Sequence, residues 1–178
     1  MHGRLERRLA RAGIGGDART SILSAHAASV MRRVEVLGDD EHFEALHPSR
    51  TLLILLDDCG VTEPRMLEAA ATVESEHAPL RVPGANDLAD RVPLPGDGDD
   101  LAERLIVAEH EARLIALAER LDHARHLHLR DRADWIAFHA LIEDVYAPIA
   151  ARSHPRLGRR YDWWRRMFAR RFLARNRS

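Results

Sequence analysis

Apolar residues recur at helical spacing through the first part of the chain. Asp17 follows a glycine-rich stretch, which predicts that it caps a helix ending near Val36. Two more helices are predicted after it. Each has a proline in its first turn, where the missing N–H breaks no hydrogen bond. These two helices cover about 47–60 and 62–73.

The second half of the chain predicts longer helices, over about 100–126, 133–151 and 161–174. Pro148 lies inside the middle one and should kink it or end it early. The last helix combines an aromatic stripe with arginine at most other positions. The stripe consists of Tyr161, Trp164, Phe168 and Phe172.

A segment rich in proline, glycine and aspartate separates these two sets of helices. It covers about 78–100 and predicts a long loop. Nowhere along the chain does alternation of apolar and polar residues persist with period two, so no strand is predicted. The sequence therefore predicts a single all-α domain over 1–178, a bundle of about six to eight helices.

Composition fits an ordinary globular domain, with 46% hydrophobic and 31% charged residues. A single cysteine, Cys59, excludes an internal disulfide and a cysteine-based zinc cluster, and its apolar neighbours predict a buried hydrophobe instead of a nucleophile. No apolar run approaches the ~18 residues of a membrane span, and the N-terminus lacks the apolar core of a signal peptide. We therefore expect a cytoplasmic protein with no membrane partner.

Charge is balanced over the whole chain but unevenly distributed. The net charge is −1, yet residues 152–178 hold ten arginines against one acidic residue, Asp162. The favoured interpretation is a basic C-terminal helix that docks on an acidic body. The alternative is a contact between this arginine-rich helix and RNA or another protein, because arginine-rich surfaces neutralise phosphates.

Eleven histidines invite a search for metal ligands. Glu74 and His77 have the Glu-x-x-His spacing of di-iron bundles, but such sites need a second pair of this kind together with two further glutamates, so a di-iron centre is not the favoured interpretation. His123, His126 and His128 cluster near a predicted helix end, where the helix dipole favours a surface histidine group over a metal site. Spacing alone therefore gives no metal centre.

The order and spacing of several segments resemble the hydrolase domain of the RelA/SpoT-type alarmone enzymes, a branch of the HD phosphohydrolases. Those enzymes cleave pyrophosphate from the 3′ position of guanosine tetraphosphate. The resemblance covers roughly residues 25 to 175, and the resemblance implies an HD-type helical bundle. The segments that carry it are Ala27–Arg33, Leu46–Leu55, Gly60–Val73, Ile115–Arg125 and Val145–Ala150.

The resemblance also implies a metal centre. In the family, a histidine before proline, a His-Asp pair and a later aspartate hold one manganese ion, which activates water against phosphorus. The first histidine corresponds to His47, the His-Asp pair falls on Glu74 and Ser75, and the later aspartate is Glu119. Asp122 and the histidine after it stand where the family has His-Asn.

Catalytic and substrate-binding positions follow from the same comparison. The Glu-Asp pair that positions water in the family falls near Ala78 and Pro79, and a one-residue slip of the alignment would place it on Glu76 and His77. Basic residues that bind the substrate correspond to Arg32 and Arg33. An ordinary exposed helix face is the alternative for both arginines.

Replacement of the family's ligands indicates loss of the chemistry, because Ser75 is a poor ligand for a divalent metal. The leading interpretation is a non-catalytic regulator that binds a guanine nucleotide, another phosphorylated small molecule or a protein partner, with no metal. The alternative is a phosphohydrolase whose rebuilt site holds Mn²⁺ or another divalent ion. Its ligands would come from His47, Glu74, His77 and Glu119. Without a metal, His47 would be a core or capping histidine and Glu119 a solvated helix carboxylate.

Overall fold

The computed structural model describes residues 2–73, 87–95 and 100–174. These residues form helices and connecting turns and contain no β-strand, which confirms the predicted all-α class. None of the helices in these three ranges combines the length and the apolar character needed to cross a membrane.

Four helices form the first part of the fold. Helix α2 matches its predicted range to within one residue at each end, but Gly15 is its N-cap and no side chain caps it, so the cap prediction for Asp17 was wrong. It ends at Gly38, whose φ of 69° is a left-handed conformation that favours glycine. The bounds are α1 His2–Arg11, α2 Gly16–Leu37, α3 His47–Leu53 and α4 Pro64–Thr72.

Helix α3 lies between two irregular helical turns. A 3₁₀ turn, Phe43–Leu46, leads into it, and a π-helical turn, Ile54–Cys59, extends it to the left-handed Gly60. Helix α4 begins as the sequence predicted, with Pro64 in its first turn. The side chain of Glu63 accepts a hydrogen bond from the backbone N–H of Met66 at 2.6 Å.

Six helices follow in the second part. A one-turn helix, α5, lies within the segment predicted to be a loop, and α10 begins six residues before its predicted start at Tyr161 and continues as a π-helical turn, Ala169–Leu173. The bounds are α5 Asp87–Asp90, α6 Leu101–Val107, α7 His110–His126, α8 Arg132–Leu141, α9 Ala147–Ser153 and α10 Pro155–Phe168.

The helix predicted over 100–126 is broken at Ala108 and Glu109, which both adopt extended ψ values near 150°. Arg113 explains the break, because its guanidinium donates to the carbonyls of Ile106 and Ala108 at 2.8 and 3.1 Å and so satisfies the end of α6. Neither proline nor glycine marks this position, so the sequence pattern could not reveal it.

Pro148 does not end the helix in which it lies. A π-helical turn, Ile142–Tyr146, precedes it and the helix continues to Ser153, since Pro148 lies in the first turn of α9. The chain reverses at His154 into α10. There, Gly158 packs so closely that an added Cβ would meet Cα of Ala151 at 2.6 Å.

Helix α7 runs through the centre of the bundle and packs against α3, α4, α9 and α10. Nearly every residue from Ala112 to Ala124 is buried, so the helix has no solvent-facing side over this length. Tyr161 of α10 donates its hydroxyl hydrogen to the carbonyl of Leu117 at 2.6 Å, which fixes α10 on this central helix. Any charged residue on this part of α7 must therefore find its partners inside the protein.

Candidate functional site

Four consecutive or near-consecutive polar side chains are buried on α7, each no more than 2% exposed. Two more polar residues face them from neighbouring elements, Glu44 on the 3₁₀ turn and His47 at the start of α3. Isolated buried charges are costly, so such a group must be internally paired. The four buried polar residues of α7 are Glu119, Arg120, Asp122 and His123. We refer to these six residues as the buried polar cluster.

Asp122 holds the ring of His47 in place. Nδ1 of His47 lies 2.8 Å from Oδ2 of Asp122, and because a carboxylate only accepts, this nitrogen is the donor. Nε2 of His47 then lies 3.4 Å from the Thr51 hydroxyl and 3.6 Å from Oε1 of Glu119. Arg50 donates its Nε–H to both oxygens of Asp122, at 2.9 and 3.0 Å, and so balances the charge of Asp122.

His123 stacks on His47, with 4.2 Å between the ring centroids, and joins two carboxylates. Its Nε2 lies 2.9 Å from Oε1 of Glu119, and its Nδ1 lies 3.6 Å from Oε1 of Glu44. Nη2 of Arg130 lies 2.6 Å from Oε1 of Glu44 and 2.9 Å from Nδ1 of His123. The two carboxylates and the arginine therefore share this imidazole between them.

The carboxylates of the cluster are held in their charged form. Burial alone would raise the pKa of each, but hydrogen bonds and nearby positive charges outweigh it and lower the pKa of Glu44, Glu119 and Asp122 below the ordinary values. Burial would lower the pKa of His123, yet the negative charge of Glu119 dominates and raises it to about 9. The cluster is thus a set of charged pairs at neutral pH.

Glu44, His47 and His123 bring potential ligand atoms within 4.8 Å of one another, so this buried group could hold a metal ion. Two of these three residues, Glu44 and His123, nevertheless already have other partners. Glu44 accepts from Arg130, and His123 donates Nε2–H to Glu119 while its Nδ1 lies 2.9 Å from Nη2 of Arg130. A metal would have to displace these contacts, and the cluster as it stands does not fit the manganese centre of the resembling family.

Two of the sequence-predicted site residues meet in this cluster, His47 and Glu119. Arg33 is also buried, 1% exposed, and burial lowers its pKa to about 10 although Glu44 and Glu119 oppose that effect. The exposed-face alternative is therefore wrong for Arg33, whereas Arg32 is exposed. The remaining predictions, Glu74, Glu76 and His77, lie outside the described residues.

Sequence reasoning missed Glu44 and misplaced two residues of α7. The prediction of a surface histidine group was wrong for His123, and the alternative of a solvated carboxylate was wrong for Glu119. A signal was available, because Leu114–Ala118 form an unbroken apolar run just before Glu119, as expected of a central helix. Glu44 lies outside α7, but the sequence held a signal for it as well, because Glu44 and His47 have the same Glu-x-x-His spacing as Glu74 and His77.

Cys59 takes no part in this cluster. It is partly buried, and burial together with the charge of Asp58 raises the pKa of its thiol to about 12. A thiol with so high a pKa is a poor nucleophile at neutral pH, as the sequence predicted.

Comparisons of this chain with protein-family models, with curated proteins and with solved structures give no match. The resemblance to the alarmone hydrolase domain therefore stays an interpretation of the sequence segments.

Proposed function

We propose that this chain is a non-catalytic protein of the HD phosphohydrolase type, and that it acts as a regulator by binding a nucleotide or a protein partner. The observation that carries the proposal is the pairing of the buried polar cluster. Asp122 is paired with Arg50, Glu44 with Arg130 and Glu119 with His123. Positive side chains thus already neutralise the carboxylates that a metal would need.

Pairing of this kind removes the chemistry of the resembling enzymes. Their bound metal lowers the pKa of a water molecule so that it attacks phosphorus at neutral pH. Here the resemblance puts Asp122 where the family has a histidine, and Asp122 fixes His47. In metal enzymes a carboxylate often orients a ligating histidine in the same way. In this chain the same contact, together with Arg50, closes an ion pair.

The second candidate is a diverged metal-dependent phosphohydrolase that acts on guanosine tetraphosphate or a related nucleotide. The grouping of Glu44, His47 and His123 favours it, as does one buried oxygen, Oε2 of Glu44, which has no hydrogen-bond partner within the described ranges. A divalent ion such as Mn²⁺ would supply an activated water at this site. Arg130 would have to leave Glu44 first.

Metal content and pyrophosphate release separate the two candidates. The protein is purified with manganese present, its metal content is measured, and guanosine tetraphosphate is supplied as substrate. The proposal expects far less than one metal per chain and no release above that of His47→Ala. His110→Ala, which changes an exposed histidine, is the matched control for adventitious metal.

One metal per chain, with release that is lost in His47→Ala and kept in His110→Ala, would establish the second candidate instead. The binding half of the proposal is measured separately, by calorimetry with guanosine tetraphosphate. Saturable heat without pyrophosphate release supports a nucleotide-binding regulator.

A further inference from the structure

A second candidate site lies apart from the buried polar cluster, on the outer side of α10. It is a cleft of about 740 Å³ between the end of α7, the start of α8 and the last turns of α10 with the π-helical turn that follows. All three tryptophans of the chain line it, Trp135, Trp163 and Trp164. We call it the tryptophan cleft.

The floor of the tryptophan cleft is a packed array of aromatic rings. Phe168 lies at its centre, with ring centroids 4.9 Å from both Trp164 and Phe172 and 5.5 Å from Trp135. Such contacts hold the rings in fixed orientations before any ligand arrives. Trp163 is different, because it lines the cleft while 58% exposed and thus presents a free indole face at the rim.

Positive charge surrounds this aromatic floor. Arg125, Arg132 and Arg171 line the cleft, and no aspartate or glutamate of the described ranges is among the lining residues. Arg171 lies 6.0 Å from the ring of Phe172 and has no acidic partner in the part of the chain that the structure describes. Arg132 lies over the ring of Trp135 at 5.5 Å. The cleft therefore joins flat apolar surfaces to guanidinium groups.

We propose that the tryptophan cleft binds a nucleotide, with the base stacked on Trp163 and the phosphate held by Arg171 and Arg132. A planar base matches an exposed indole, and arginine provides paired donors for phosphate. The volume lies within the range of sites for small ligands. The same chemistry is offered by a free nucleotide and by one nucleotide of a single-stranded RNA. The inference gives the nucleotide-binding half of the proposed function a location, and because it uses no residue of the buried polar cluster, it can fail while the non-catalytic assignment of that cluster stands.

Tryptophan fluorescence tests the proposal directly, because every tryptophan of the chain lines the cleft. Adenosine 5′-monophosphate and a short oligoadenylate are titrated separately, with excitation at the red edge of the tryptophan band, where adenine does not absorb. We expect saturable quenching by at least one of them. Trp163→Ala should weaken binding by about fivefold or more, and the two remaining tryptophans still report it.

Arg171→Gln should also weaken binding and should lower the salt dependence of oligoadenylate binding by about one ion. Arg156→Gln is the matched control, since Arg156 is an exposed arginine at the start of α10 that does not line the cleft, and binding should change by less than about twofold. Circular dichroism confirms that each variant is folded.

Two results would support the proposal and identify the source of the nucleotide. Similar affinities for the mononucleotide and the oligonucleotide indicate a pocket for a free nucleotide, whereas much tighter binding of oligoadenylate indicates single-stranded RNA. Absence of saturable quenching by both probes would overturn the proposal. So would binding that neither Trp163→Ala nor Arg171→Gln weakens.

Discussion

The buried polar cluster and the tryptophan cleft use arginine in opposite ways. In the cluster, Arg50 and Arg130 neutralise carboxylates that are almost completely buried. In the cleft, Arg132 and Arg171 lie over aromatic rings, and no acidic residue of the described ranges lines the surface. The first arrangement satisfies charges that the fold itself has buried, whereas the second places guanidinium groups beside an open cleft. The cluster should therefore determine stability, and the cleft should determine binding.

The largest effect is expected from Asp122→Ala, which leaves Arg50 and His47 inside the protein without their anion. Removing one partner of a buried ion pair costs about 3–5 kcal/mol of unfolding free energy. Urea unfolding measures this loss. The control is Glu143→Ala, which breaks the more exposed pair with Arg165 and should cost less than about 1 kcal/mol. Equal losses in the two variants would mean that the cluster contributes no more than surface pairs do.

Gly158→Ala tests the packing that sets α10, and with it the cleft, against α9. The added Cβ would meet the Ala151 backbone at 2.6 Å, so one helix must shift. Overpacking of this kind costs about 1–3 kcal/mol. Urea unfolding gives the cost, and tryptophan emission reports whether the cleft changes with it. A neutral substitution would show that α9 and α10 can separate without penalty.

Acid should weaken the cluster in a predictable direction. Each carboxylate has a pKa below its ordinary value in the folded state, so its contribution is present above the unfolded pKa and is lost as the pH falls through the folded pKa. Protonation of the three carboxylates should lower the unfolding free energy by about 1–2 kcal/mol in total between neutral pH and pH 4, and the loss per pH unit should grow below pH 4. The midpoint of urea unfolding, measured at several pH values between neutral pH and pH 3, gives this loss of stability.

The matched comparison for this acid loss is Asp122→Asn, which keeps the size of the side chain but cannot titrate. Its stability should change less steeply with pH than that of the unchanged protein. Identical slopes would show that Asp122 has an ordinary pKa and that the acid sensitivity arises elsewhere.

Helix positions could be predicted from the sequence better than the contacts between helices. The range of α2 follows from apolar spacing and from Gly38, which ends it. The break between α6 and α7 depends on Arg113 reaching back to the carbonyls of the preceding helix, and no local pattern marks such a contact. Of the two outcomes expected at Pro148, a kink or an early end of the helix, the early end did not occur, because a π-helical turn precedes Pro148 and places it in the first turn of α9.

The candidate site shows the same division. His47 and Glu119 were named from the resemblance, and the structure brings them to 3.6 Å between Nε2 and Oε1. Their partner Glu44 lies on a short 3₁₀ turn that is 75 residues from Glu119 in the sequence, and the packing of α3 on α7 brings the two together. The aromatic stripe of α10 was predicted as a helix face, but the three arginines around it come from separate elements.

The smallest effect on stability is expected in the tryptophan cleft. This effect tests whether the cleft differs from the buried polar cluster as described above. Trp163 is exposed and Arg171 has no acidic partner among the described residues, so Trp163→Ala and Arg171→Gln should each change the unfolding free energy by less than about 0.5 kcal/mol. Urea unfolding, with tryptophan emission and circular dichroism as two readouts, measures this. A loss as large as that of Asp122→Ala would mean that the tryptophan cleft is part of the structural core. Near-neutral stability together with weakened nucleotide binding would separate the two regions, because a surface arranged for a ligand contributes little to folding until the ligand is bound.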